Sequence, residues 1–104
     1  MPGAGKAVPE PEQIAPAALA DIDVYLGHIA HERRLSAHTV DNYGRDLKVL
    51  ARLAGSTTLD RLEIHHIRRY IAQLHGKGLD ARSLARMLSA WRSFYRYLAR
   101  ERHL

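Results

Sequence analysis

The sequence contains no cysteine, which excludes a disulfide framework, a zinc ribbon and a thiol nucleophile. A fold of 104 residues then rests on apolar packing, with room for one core and not for two. Proline is confined to Pro2, Pro9, Pro11 and Pro16, so nothing beyond Pro16 breaks a helix by that route. No apolar run approaches the ~18 residues of a membrane span, and the N-terminus lacks the apolar stretch of a secretory signal. β-branched residues are sparse and no segment alternates apolar and polar for long, so strands are not expected. There is no glycine-rich phosphate loop, no Ser/His/Asp ordering and no paired-carboxylate motif. The expectation is a soluble, cytoplasmic chain with no catalytic machinery of its own, no cofactor, no small-molecule ligand and no membrane association.

What the sequence does have is positive charge. The formal net charge is +5 and the pI about 10.0, a balance that favours polyanion partners. The excess is concentrated late in the chain. Residues 80–104 carry Arg82, Arg86, Arg92, Arg96, Arg100 and Arg102 against Asp80 and Glu101 alone. Residues 1–16, which hold every proline and few large apolar side chains, read as a disordered leader.

Four segments with helical periodicity follow, so the fold class is all-α, a compact four-helix bundle over residues 17–104. The first, about 17–33, aligns Leu19, Ile22, Leu26 and Ile29 on one face. The second opens at the N-cap Ser36 and ends at Gly55, with Val40, Tyr43, Leu47, Leu50 and Ala54 inward. The third, about 63–75, stacks Ile64, Ile67, Ile71 and Leu74 and is stopped by Gly76 and Gly78; Leu59 and Leu62 pin the loop before it. The fourth opens at Asp80, runs to about residue 100, and turns Leu84, Leu88, Trp91, Tyr95 and Leu98 inward.

The fourth segment carries the functional signal. Wound at about 100° per residue, it places Arg82, Arg86, Ser89, Ser93, Arg96 and Arg100 on one outer face with no acid among them. An ordinary solvated helix carries Glu four residues from its Arg or Lys. Here that partner is missing, and the result is a slim rod with guanidinium groups suited to phosphate walls and to guanine edges in a major groove. On the outer face of the second segment His38, Asn42 and Arg45 recur, with Ser36 and Thr39 near the positive helix start; Asp41 and Asp46 dilute this face. The candidate contacts with double-stranded DNA are therefore Ser36, His38, Thr39, Asn42, Arg45, Arg82, Arg86, Ser89, Ser93 and Arg96.

Rival chemistries are weaker. His28 with His31, and His65 with His66, lack a nearby carboxylate or thiolate at a known ligand spacing, so no metal site is expected. The tyrosines have no clustered base, and core packing accounts for Tyr43 and Tyr95.

The stretch Leu35-Ser36-Ala37-His38-Thr39-Val40-Asp41-Asn42-Tyr43-Gly44-Arg45-Asp46-Leu47, followed by Gly78 through Leu98 with its Leu88-Ser89-Ala90-Trp91-Arg92-Ser93-Phe94-Tyr95 run, resembles the N-terminal core-binding domain of tyrosine recombinases of the phage integrase family. It is most similar to the Xer recombinases, XerC more than XerD. The likeness covers residues 17–104, and Trp91 stands where leucine is usual. The resemblance implies a SAM-like four-helix domain whose second and fourth helices face the major groove. It places catalysis in a separate C-terminal domain absent from this chain, which none of these tyrosines matches, and implies a truncated enzyme. The implied partners are that catalytic domain and a second Xer-like recombinase on the adjacent half-site. The alternative is a helical protein-interaction module using the first helix or an apolar patch of Tyr97, Leu98 and Leu104, with incidental DNA affinity.

Overall fold

The computed structural model describes residues 14–102, which form four helices and one short turn of 3₁₀ helix. These are α1 (Pro16–His31), α2 (Ala37–Ala54), the turn Leu59–Arg61, α3 (Ile64–Gly76) and α4 (Ala81–Arg102). Most of the expected leader, residues 1–13, lies outside the described residues, as do His103 and Leu104. Its last three residues belong to the fold. Ile14 and Ala15 are buried, and the Ala15 N–H donates to the Gly55 carbonyl at 3.1 Å, which fastens the start of α1 to the end of α2. Pro16 opens α1, where a missing N–H sacrifices no helical bond.

The α1–α2 connection is set by backbone chemistry. Arg34 has φ of +53°, a left-handed conformation that lets the Leu35 N–H turn back onto the Ile29 carbonyl at 3.1 Å. An L-residue with a Cβ is strained there. Arg34→Gly is expected to raise stability by about 0.5–1 kcal/mol, read as a higher urea midpoint with an unchanged slope. Ser36 then caps α2, its Oγ accepting from the Thr39 N–H at 3.2 Å. At the other end Gly55, with φ of +61°, closes the helix as the sequence leads one to expect.

Leu59 is fully buried in the loop that follows, and its carbonyl accepts the Tyr95 hydroxyl at 2.7 Å. Burial pushes that phenol well above its ordinary pKa, so it remains a donor. The expected stripe on α3 is rotated. Glu63 stands before the helix, its N–H donating to His66 Nδ1 at 2.9 Å; Tyr70 is buried, while Ile64 remains 64% exposed. Ile64 and Tyr70 lie at opposite edges of the apolar arc, and it is the Tyr70 edge that meets the core.

Asp80 caps α4, its Oδ1 accepting from the Ser83 N–H at 2.8 Å. That bond holds the Asp80 carboxyl below its ordinary range, so the cap's contribution is present above the usual carboxylate pKa and is lost as pH falls through the lowered value. The buried arc of α4 comprises Leu84, Met87, Ala90, Trp91, Phe94, Tyr97 and Leu98, with Leu88 and Tyr95 on its flank. It is wider than the expected line because three helices meet it. From α1, Tyr25 packs edge-on to Phe94 at 5.5 Å and against Tyr97 at 5.2 Å. From α2, the Asp46 carbonyl accepts the Trp91 Nε1–H at 2.8 Å. No helix among the described residues is long and apolar enough to cross a membrane.

Candidate nucleic-acid interface

The α4 stripe survives in three dimensions. Arg82, Arg86, Ser89, Arg96 and Arg100 are exposed and Ser93 is half-buried. Among the described residues, Arg82, Arg96 and Arg100 take part in no ion pair. Arg102, two residues beyond the stripe's end and on another side of the helix, is instead drawn to Asp21 and Asp60.

Arg86 differs from its neighbours. Its Nε and Nη2 donate to the two carboxylate oxygens of Asp46 at 3.3 and 3.1 Å. Asp46 does not dilute the outer face of α2, as its spacing led one to expect; it is 4% exposed and lies in the seam between α2 and α4. The pair fixes the stripe of α4 beside α2, but it spends the charge of Arg86 on a carboxylate. Arg86 remains 59% exposed, so part of its pairing energy is screened. Arg86→Ala is expected to lower stability by about 1–2 kcal/mol, because the Asp46 carboxylate loses its partner. The slope of log DNA affinity against log salt should stay nearly unchanged; a loss of one unit would show that Arg86 neutralises a phosphate.

On α2, His38 and Arg45 are exposed and Thr39 and Asn42 half-buried. Ser36 Oγ also donates to Thr39 Oγ1 at 3.0 Å, so this hydroxyl pair is occupied in capping. Asn42 lies one turn before Asp46 and so on the same side of α2, whereas Arg45, one residue before it, is turned about 100° away and is exposed. Between the two sets of candidates, Arg86 alone bonds across the seam, to Asp46. Sequence reasoning missed Arg33, which joins Arg96 and Arg100 around a polar notch between the end of α1 and α4. As a loop residue it has no periodicity to mark it.

The remaining candidates are occupied elsewhere. His66 Nδ1 accepts from the Glu63 N–H, His65 lies 3.6 Å from the Glu63 carboxylate, and the His28 ring packs on Tyr97 at 4.9 Å. No group of three or more potential ligands that could hold a metal ion occurs among the described residues. The apolar patch expected at Tyr97 and Leu98 is absent, since both are buried under α1 and the core; Leu104 lies outside the described residues. Exposed apolar surface instead borders a groove of about 770 Å³ on the other flank of α4, lined by Ile64, Ile67, Ile71, Leu88 and Trp91 among others.

Fold and surface together define an all-helical module with a long basic face and almost no acid on it. The chain belongs to the family described as phage integrase, N-terminal SAM-like domain, which matches residues 22–102. It is 50% identical to tyrosine recombinase XerC 1 of Ralstonia nicotianae over 96 residues, 88% of this chain and 29% of that protein. It is 47% identical to tyrosine recombinase XerC of Pseudomonas aeruginosa and 51% identical to that of Azotobacter vinelandii, each over 85 residues, 79% of this chain and 28% of theirs. The chain thus spans under a third of the length of these relatives. No solved structure matches it.

Proposed function

We propose that this domain grips duplex DNA as the N-terminal half of the clamp of a Xer-type tyrosine recombinase, acting in the cytoplasm in chromosome dimer resolution or DNA integration. The carrying observation is that Arg82, Arg96 and Arg100 on α4 are exposed and, among the described residues, take part in no ion pair, with no carboxylate on their stripe. Their spacing suits a duplex: about five turns of helix is long enough to cross a major groove and touch both phosphate walls. In this reading Arg82, Arg96, Arg100, Ser89 and Ser93 on α4 and Ser36, His38, Thr39, Asn42 and Arg45 on α2 make the contacts. Asn42 is suited to an adenine edge and the free arginines to guanine or phosphate. Arg86 serves as the tie that keeps the two helices in register.

Catalysis belongs, in this proposal, to a separate domain carrying the nucleophilic tyrosine and its arginines and histidine. A second recombinase of the same kind occupies the adjacent half-site. That the relatives carry the name tyrosine recombinase XerC supports the assignment.

With about five phosphates neutralised, log affinity should fall with log salt at a slope of about −4 to −5. Isolated, the domain binds weakly, since a single half lacks the gain from tethering. Electrophoretic titration of a duplex at two salt concentrations measures this. Affinity indifferent to salt, or no binding at low salt, contradicts the proposal.

A further inference from the structure

The notch between α1 and α4 has a volume of about 250 Å³, and its walls include Tyr25, His28, Arg33, Ser93, Arg96 and Arg100. Three of these six carry guanidinium groups, and no carboxylate lines the space. Cations gathered without an acid repel one another, so the arrangement is complete only when an anion enters. A second observation points the same way. Tyr25 is 1% exposed and its hydroxyl, buried among the described residues, has no partner within hydrogen-bond distance, although the Ser93 side chain across the notch is near enough to lower its pKa. Buried polar groups are nearly always paired. This one lies where Arg33 and Arg100 are close enough to act on it.

We propose that the notch seats one phosphate group of the DNA backbone, held by the guanidinium groups of Arg33 and Arg100, with the Tyr25 hydroxyl donating the hydrogen bond it lacks in the free domain. The volume is several times the ~30 Å³ that one water occupies in the liquid, enough for a phosphate and part of its hydration. Arginine forks fit phosphate oxygens in pairs. Burial, first, and then Tyr43 raise the pKa of Tyr25, so the hydroxyl keeps its proton and is available as a donor. Arg96 lines both this notch and the apolar groove on the other flank of α4. The seat would fix the register of the domain on the duplex, since a phosphate contact positions the protein without reading sequence. The source of the phosphate rests on the DNA-binding proposal above; the seat itself rests on the side chains.

The test uses Tyr25→Phe, which removes only the unpartnered hydroxyl. Amide and side-chain NMR shifts are followed as inorganic phosphate is added, against chloride at equal ionic strength, and duplex affinity is measured in parallel. The wild-type domain should show saturable shifts around the notch. Tyr25→Phe should raise the melting midpoint, weaken phosphate and duplex binding roughly tenfold, and leave the salt slope intact because no charge is lost. Arg33→Ala should flatten that slope by about one. Unsaturable phosphate shifts, or saturable ones indifferent to Tyr25→Phe, overturn the seat even if duplex still binds. A saturable phosphate response with no duplex binding at low salt overturns the backbone as its source, and with it the DNA-grip proposal, while the seat stands.

Discussion

Replacing Trp91 with alanine should remove about 3–5 kcal/mol of folding stability, enough to unfold most molecules of a domain whose total is of order 5–15 kcal/mol. Trp91 is the largest fully buried side chain among the described residues and lies where α2, α3 and α4 converge. Two physical contributions meet in it. One is apolar burial, at about 25 cal/mol per Å² removed from water. The other is the indole N–H, which donates to the Asp46 carbonyl at 2.8 Å and ties α4 to the helix that also holds Arg86. Trp91→Phe separates them, since it keeps most of the burial and forfeits the donor; it should cost about 1–2 kcal/mol from the unpaired carbonyl and the smaller ring. Urea unfolding followed by far-UV circular dichroism measures both, the only tryptophan being the residue replaced. Equal losses in the two variants would mean that the hydrogen bond, and not packing, dominates at this position.

The second large effect concerns binding. Replacing Arg82, Arg96 and Arg100 together with alanine should weaken duplex affinity by roughly 10²–10³-fold at about 0.1 M salt. The salt slope should move from about −4 or −5 to about −2. Each neutralised phosphate contributes about 0.9 to the slope, which at that salt concentration corresponds to nearly tenfold in affinity. The three side chains are exposed and without ion-pair partners among the described residues, so the triple variant should fold normally. A control with the same charge change elsewhere, Arg61, Arg68 and Arg69 to alanine, should alter the slope far less. Similar losses in both variants would indicate a diffuse response to net charge and not a defined face.

Much of this was legible in the residues. Capping chemistry at Ser36, Gly55 and Asp80 located the ends of α2 and the start of α4 because those bonds are local. The α4 stripe was legible because an outer face depends only on helical spacing. The inner faces were less so. Tyr25, Phe94 and Tyr97 form one aromatic cluster across α1 and α4, and no single-helix pattern reveals which flank of a wide apolar arc a neighbour will cover. The same limit explains Ile64, left exposed by the placement of α3 at the rim. Asp46 is the instructive case. Counted along α2 it belongs to a polar face, yet it lies only about 40° from Leu50 on the helix circumference, at the border of the core. A residue forty positions away, Arg86, decides its fate. Tyr25 and Arg33 escaped for a similar reason, since the notch they share with Arg100 exists only after α1 has docked.

The most direct measurement is an amide shift map of the isotopically labelled domain titrated with a short mixed-sequence duplex at low salt. Perturbations should cluster on residues 36–45 of α2 and on Arg82, Ser89, Ser93, Arg96 and Arg100 of α4, and fade as salt is raised. Shifts gathered instead on α3 and around Ile64, or spread evenly over the surface, would contradict a DNA-gripping face built from α2 and α4.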